Sequence, residues 1–172
     1  MKNNIFLSLA VAMFLPVVAQ AAKPTPKQLV GKWSCVTEYP EIDVVTRDIS
    51  DYGANGSVRS QGRFEFKFAN HEFLYSMKSQ GKWQLNDNRL TLTLQDGKPQ
   101  RIHGKQTQKL IQQNELIRDY EAATFGILNK RKPSEQYFFR IDEITPKQMV
   151  QTQLESAETD AKEMAKSICT RL

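Results

Sequence analysis

Arg63-Phe64-Glu65-Phe66-Lys67-Phe68-Ala69-Asn70-His71-Glu72-Phe73-Leu74-Tyr75-Ser76-Met77 is the stretch that decides the fold. Phe64, Phe66 and Phe68 alternate with Glu65 and Lys67, and past Ala69-Asn70 the rhythm resumes with Phe73, Tyr75 and Met77 against Glu72, Leu74 and Ser76. A period of two with one apolar face marks a half-buried strand. A short polar break between two such runs marks a hairpin. Leu90, Leu92 and Leu94 repeat the pattern against Thr91 and Thr93. Further turn signals stand at Ala54-Asn55-Gly56-Ser57, Asn86-Asp87-Asn88 and Asp96-Gly97-Lys98-Pro99. Connections this short join antiparallel neighbours, because a parallel partner needs a crossover of a dozen residues or more. The chain is therefore predicted to be mainly β, an antiparallel meander that packs on something or closes on itself.

The segment from about 106 to 128 departs from this rhythm. Leu110, Ile117, Tyr120, Thr124 and Ile127 recur near helical spacing, and neither Gly nor Pro interrupts before Gly126. The spacing predicts one inserted amphipathic helix, with Glu115, Asp119 and Glu121 on its polar face, packed on the sheet or capping a barrel end. Strands resume over Tyr137 to Ile144 and Gln148 to Leu154. Over 157–168 two assignments compete. Ala157, Ala161, Met164 and Ile168 share a helical face, whereas a closing strand would run straight into Cys169.

The N-terminus carries a targeting pattern. Lys2 supplies a positive start, Ile5 to Val18 an apolar run broken by Pro16, and Ala19-Gln20-Ala21 small residues for cleavage. The run is shorter than the roughly 20 residues of a spanning helix. Residues 1–21 thus read as a signal peptide of bacterial type, 22–28 as a linker, and 29–172 as one domain of ordinary size. The destination is the periplasm or the medium. In such an oxidising compartment Cys35 and Cys169, the two cysteines of the chain, are expected to pair. That bridge would close nearly the whole chain, worth about 5 kcal/mol in the chain-entropy model.

Charge and motifs narrow the function by exclusion. The formal net charge of +5 falls by one with Lys2. The basic residues are dispersed, with local densities at Lys98, Arg101, Lys105 and Lys109 and at Lys130-Arg131-Lys132. Nucleic-acid binding asks for a denser stripe with stacking aromatics. His71 and His103, the two histidines, lack metal-ligand spacing, and no Ser-hydrolase, zincin, P-loop or dinucleotide motif occurs. No cofactor is implied. Asp142 and Glu143 would point to opposite faces of a strand. Asp48 and Asp51, near Gly53 and Asn55, read as turn and rim residues rather than an acid–base pair. The chain is not expected to be an enzyme.

Gly31-Lys32-Trp33 at the start of the first strand, the antiparallel run with tight turns, and Cys169-Thr170-Arg171 at the finish together resemble small bacterial exported lipocalin-like domains of the calycin type. The resemblance runs from about Leu29 to Leu172 and implies a small closed barrel in which an arginine packs across the tryptophan. Trp33 and Arg171 match those positions. If both strands are extended, Arg171 lies two residues past Cys169 and can cover the Trp33 ring. The competing reading leaves Trp33 in the core and Arg171 as a frayed terminal charge. The resemblance also implies a binding module for a small apolar ligand. Its expected lining is Phe64, Phe66, Phe68, Phe73, Tyr75, Met77, Trp83 and Phe139. The alternative is a filled barrel that contacts another envelope protein through its helix or rims.

Overall fold

The computed structural model describes residues 23–130 and 134–172. The expected signal peptide and Arg131-Lys132 lie outside the described residues. A short helix α1 (Pro26–Leu29) leads into strands β1 (Gly31–Tyr39), β2 (Val44–Tyr52), β3 (Ser57–Phe68), β4 (His71–Asn86), β5 (Arg89–Asp96) and β6 (Gln100–Arg101). Helices α2 (Lys105–Gln113) and α3 (Glu115–Asn129) follow, then β7 (Glu135–Ile144), β8 (Gln148–Leu154) and β9 (Glu163–Arg171). Eight strands close in the order β1-β2-β3-β4-β5-β7-β8-β9 and back to β1, every pairing antiparallel. The two-residue β6 takes over from β5 along β4 at Tyr75 and Ser76. The antiparallel meander that the alternation predicts thus closes on itself into an up-and-down barrel, with its edges removed by closure.

The β1–β9 seam closes it. Trp33 lies opposite Arg171, Cys35 opposite Cys169, and Thr37 opposite Ser167. Residues two apart share a face, so three inward pairs of different chemistry line the seam. Arg171 places its guanidinium carbon 4.2 Å from the centre of the Trp33 ring, Cys35 and Cys169 form a disulfide, and the Thr37 and Ser167 hydroxyls meet at 2.7 Å. Arg171 also donates through Nη1 to the Val30 carbonyl (2.7 Å), through Nη2 to that of Gln28, and through Nε to that of Pro146 (2.8 Å). Trp33 Nε1 donates to the Leu29 carbonyl at 2.8 Å. The carbonyls at the end of α1 thus find their donors in two side chains of the barrel. Gly31 is required here twice over. Its φ is +121°, and a β-carbon would stand 2.7 Å from Arg171 Nη1.

Trp33, Tyr52, Val58, Trp83, Leu90 and Met149 fill this end of the barrel under Leu29. Tyr52 meets Trp83 edge to face at 6.2 Å, and Trp83 Nε1 donates to the Gly53 carbonyl at 3.0 Å. The second Gly-x-Trp has its own reason. Gly81 lies where β4 and β5 approach so closely that a β-carbon would stand 1.9 Å from the Thr93 carbonyl oxygen.

Two local expectations are corrected, and one open assignment is decided. The inserted helix is two helices, because Asn114 adopts extended φ and ψ and caps α3, its side chain accepting from the Ile117 amide at 3.2 Å. The break resets the helical phase. Ile117, Glu121, Thr124 and Leu128 become the buried face, while Ile127 is 72% exposed. The tail is strand, not helix: β9 inherits the inward positions Ala165, Ser167 and Cys169, and barrel closure overrides local helical propensity.

Two alanine substitutions test this packing. Gly81→Ala should destabilise the fold by about 1–3 kcal/mol, the usual range for overpacking. Gly126→Ala, in α3 with nothing within 4 Å of its would-be β-carbon, should stabilise it by about 0.5–1 kcal/mol. Urea unfolding of both variants reads the opposite signs.

Candidate functional site

Between the aromatic-filled end and the helices, the barrel interior holds a partly open cavity of about 120 Å³. Its walls differ. One carries Thr37, Thr46, Asp48, Ser50, Ser60 and Gln151; the other Phe64, Met77, Leu92 and Phe139. Most of the hydroxyls pair among themselves: Thr37 with Ser167 at 2.7 Å, and Ser50 with Ser60 at 3.1 Å. At the rim the Tyr39 hydroxyl donates to Gln153 Oε1 at 2.5 Å.

Two acceptors are left underused. Asp48 lies in mid-β2, opposite Cys35 on one side and Gly62 on the other. Among the described residues its carboxylate takes one side-chain hydrogen bond, donated by the Thr46 hydroxyl at 3.5 Å, the limit of such a contact. Burial pushes its carboxyl up to about 6, against a smaller lowering by Thr46. The carboxylate in turn helps hold the buried Tyr52 hydroxyl above its ordinary range, after burial itself. Gln151 is 4% exposed, and its Oε1 has no hydrogen-bond partner among the described residues.

Asp48 and Asp51, expected as turn and rim residues, are both in β2, and three residues of separation turn them to opposite faces. The expected apolar lining divides three ways. Phe64, Met77 and Phe139 line the cavity. Phe66, Phe68, Phe73 and Tyr75 pack on the helices, Phe68 stacking on Tyr120 at 4.0 Å and Phe66 meeting Tyr75 edge to face at 5.7 Å. Trp83 belongs to the filled end.

A second polar cluster anchors the helices. Glu121, expected on the outer face of the helix, is buried, and its Oε1 takes hydrogen bonds from Arg101 Nε (2.7 Å), His103 Nε2 (3.2 Å) and the Tyr75 hydroxyl (3.3 Å). The Leu74 amide donates to His103 Nδ1 at 3.0 Å, so the imidazole carries its proton on Nε2 and gives it to Glu121. Burial raises the Glu121 carboxyl, and the hydrogen bonds from Arg101 and His103 outweigh that and hold it below the usual range. Arg101 also lies 3.5 Å over the Phe125 ring. Every group here has a partner, so the cluster fastens α3 to β4 and β6. His71 stands half-buried at the start of β4, apart from it. Asp142 accepts from Arg140 at 2.6 Å and from Thr152 at 2.6 Å, beside a bulge in β7, where it ties the barrel's flank. Among the described residues no group of three His, Cys, Asp or Glu is placed to hold a metal ion. Nor is any helix long and apolar enough to cross a membrane.

No protein-family model matches the chain, and no curated protein matches it in sequence.

The raised Asp48 carboxyl has a definite sign. Folding favours its protonated form, so its contribution is fully present below the unfolded value of 3.8 and is lost as pH rises through about 6. Asp48→Asn should therefore leave stability unchanged near pH 3.5 and raise it by up to about 3 kcal/mol at pH 8, measured by urea unfolding across that range.

Proposed function

We propose that the chain is an exported, non-enzymatic binding module that holds a small polar molecule in the middle of its barrel. The observation that carries this reading is the cavity of about 120 Å³ with Asp48 and Gln151 Oε1 underused on its wall. Drug-sized ligands occupy roughly 300–1,000 Å³, several times the space between these walls, which favours a small guest over an acyl chain. An engineered cavity of about 150 Å³ takes benzene, which sets the scale at about half a dozen non-hydrogen atoms. A dry apolar guest also does not suit a wall of this kind, since it would strand both acceptors.

Export is supported by the N-terminal targeting pattern together with the buried Cys35–Cys169 disulfide. The non-enzymatic reading is supported by the cavity's lining, which among the described residues holds no histidine, lysine or thiol to work with Asp48. Leu116 and Ile127, both exposed on α3, favour a second reading in which the helix contacts an envelope protein.

Native mass spectrometry of the protein purified from its own host tests the choice. A bound species of about half a dozen non-hydrogen atoms is expected. A lipid-sized adduct would contradict it.

A further inference from the structure

Resting on the small-ligand reading, we propose that the barrel cavity is a site for a primary ammonium group, with Asp48 supplying the counter-charge and Gln151 Oε1 accepting one of its N–H hydrogens. The chemistry follows from what the cavity offers. An ionised carboxylate only accepts hydrogen bonds, and so does an amide oxygen. The hydroxyls of Thr46, Ser50 and Ser60 add acceptor lone pairs, and among the described residues no lysine or arginine lines the cavity. An anion would meet Asp48 with nothing to balance it. A water molecule could donate to both acceptors but would leave the carboxylate charge uncompensated in a part-buried wall. An alkylammonium brings three donors and the missing positive charge together, and the rings of Tyr52, Phe64 and Phe139 on the lining suit a cation and its short apolar tail.

Binding is then coupled to pH through Asp48. The other titratable groups on the lining are Tyr39, Tyr52 and Tyr137, and burial pushes the Tyr52 hydroxyl above its ordinary range. With the Asp48 carboxyl at about 6 in the empty protein, the acceptor is charged above that pH and quenched below it. Affinity for the cation falls about tenfold per pH unit there.

The oxidised protein is titrated at pH 8 with n-butylammonium, 1-butanol, tetramethylammonium and benzene, following backbone amide signals by NMR, and n-butylammonium is repeated at pH 5. Saturable binding of n-butylammonium is expected to move the Asp48 and Gln151 amides, to weaken about tenfold at pH 5, and to weaken at least as much in Asp48→Asn. Gln151→Met, which removes the second acceptor at similar bulk, should weaken it in a fold that keeps Asp48. Binding of 1-butanol as tight as that of n-butylammonium would overturn the ammonium assignment and leave the small-ligand reading standing, whereas benzene binding as tight would overturn both. Equal binding of tetramethylammonium would overturn the role of Gln151, since that cation has no N–H. If none of the four binds, both the assignment and the reading beneath it fail.

Discussion

The antiparallel register between β1 and β9 is the constraint on which the rest of the molecule depends. It joins the two ends of a chain segment 134 residues long, and without it the meander is an open sheet with two exposed edges. Three opposed pairs fix that register, Trp33 with Arg171, Cys35 with Cys169 and Thr37 with Ser167. A slip of one residue would turn the three side chains of whichever strand moved to the other face and break all three pairs. The disulfide adds the largest single constraint on the unfolded chain, about 5 kcal/mol in the loop-entropy model. Arg171 carries the closure outward, through its three carbonyl partners, to α1 and to the turn between β7 and β8.

Closure also decides where space remains. Bulky residues fill the barrel from both directions: Trp33, Tyr52 and Trp83 from one end, Phe73, Tyr75 and the helices from the other. Between them, the inward positions of β1 to β4 are small: Thr37, Thr46, Ser50, Ser60, Gly62 and Ser79. Eight strands enclose an interior that large side chains can just fill. Small residues on half of the wall therefore leave a gap, and their hydroxyls make it polar. The cavity is thus a consequence of side-chain size at one level of the barrel, and Asp48 sits at that level because it follows Thr46 and precedes Ser50 in the inward alternation of β2.

The fold was legible wherever one face of a strand was apolar and the other polar. Phe64 to Met77 and Leu90 to Leu94 announced strands, and short turns announced antiparallel neighbours. The seam was legible from two cysteines and from Trp33 and Arg171 placed two residues from them. The cavity wall was not, for a physical reason. Thr46, Asp48, Ser50 and Gln151 are polar residues on an inward face, so the alternation that identifies a half-buried strand has no contrast there. Asp48 looked like a turn residue because Gly53 and Asn55 follow closely. Helix phase was misjudged because Asn114, a good cap, sits inside a run of helix formers, and the buried Glu121 reads as solvent-facing until Arg101 and His103 are seen to reach it.

The polar cavity depends on a carboxyl group held in the barrel wall with no cation beside it among the described residues. The most direct measurement is a carbon-13 NMR titration of the Asp48 side chain in the ligand-free, oxidised protein. A midpoint near 6, the value to which burial pushes this group, is the predicted result. A midpoint near the ordinary aspartate value of about 3.9 would place Asp48 in contact with bulk water and contradict the polar cavity.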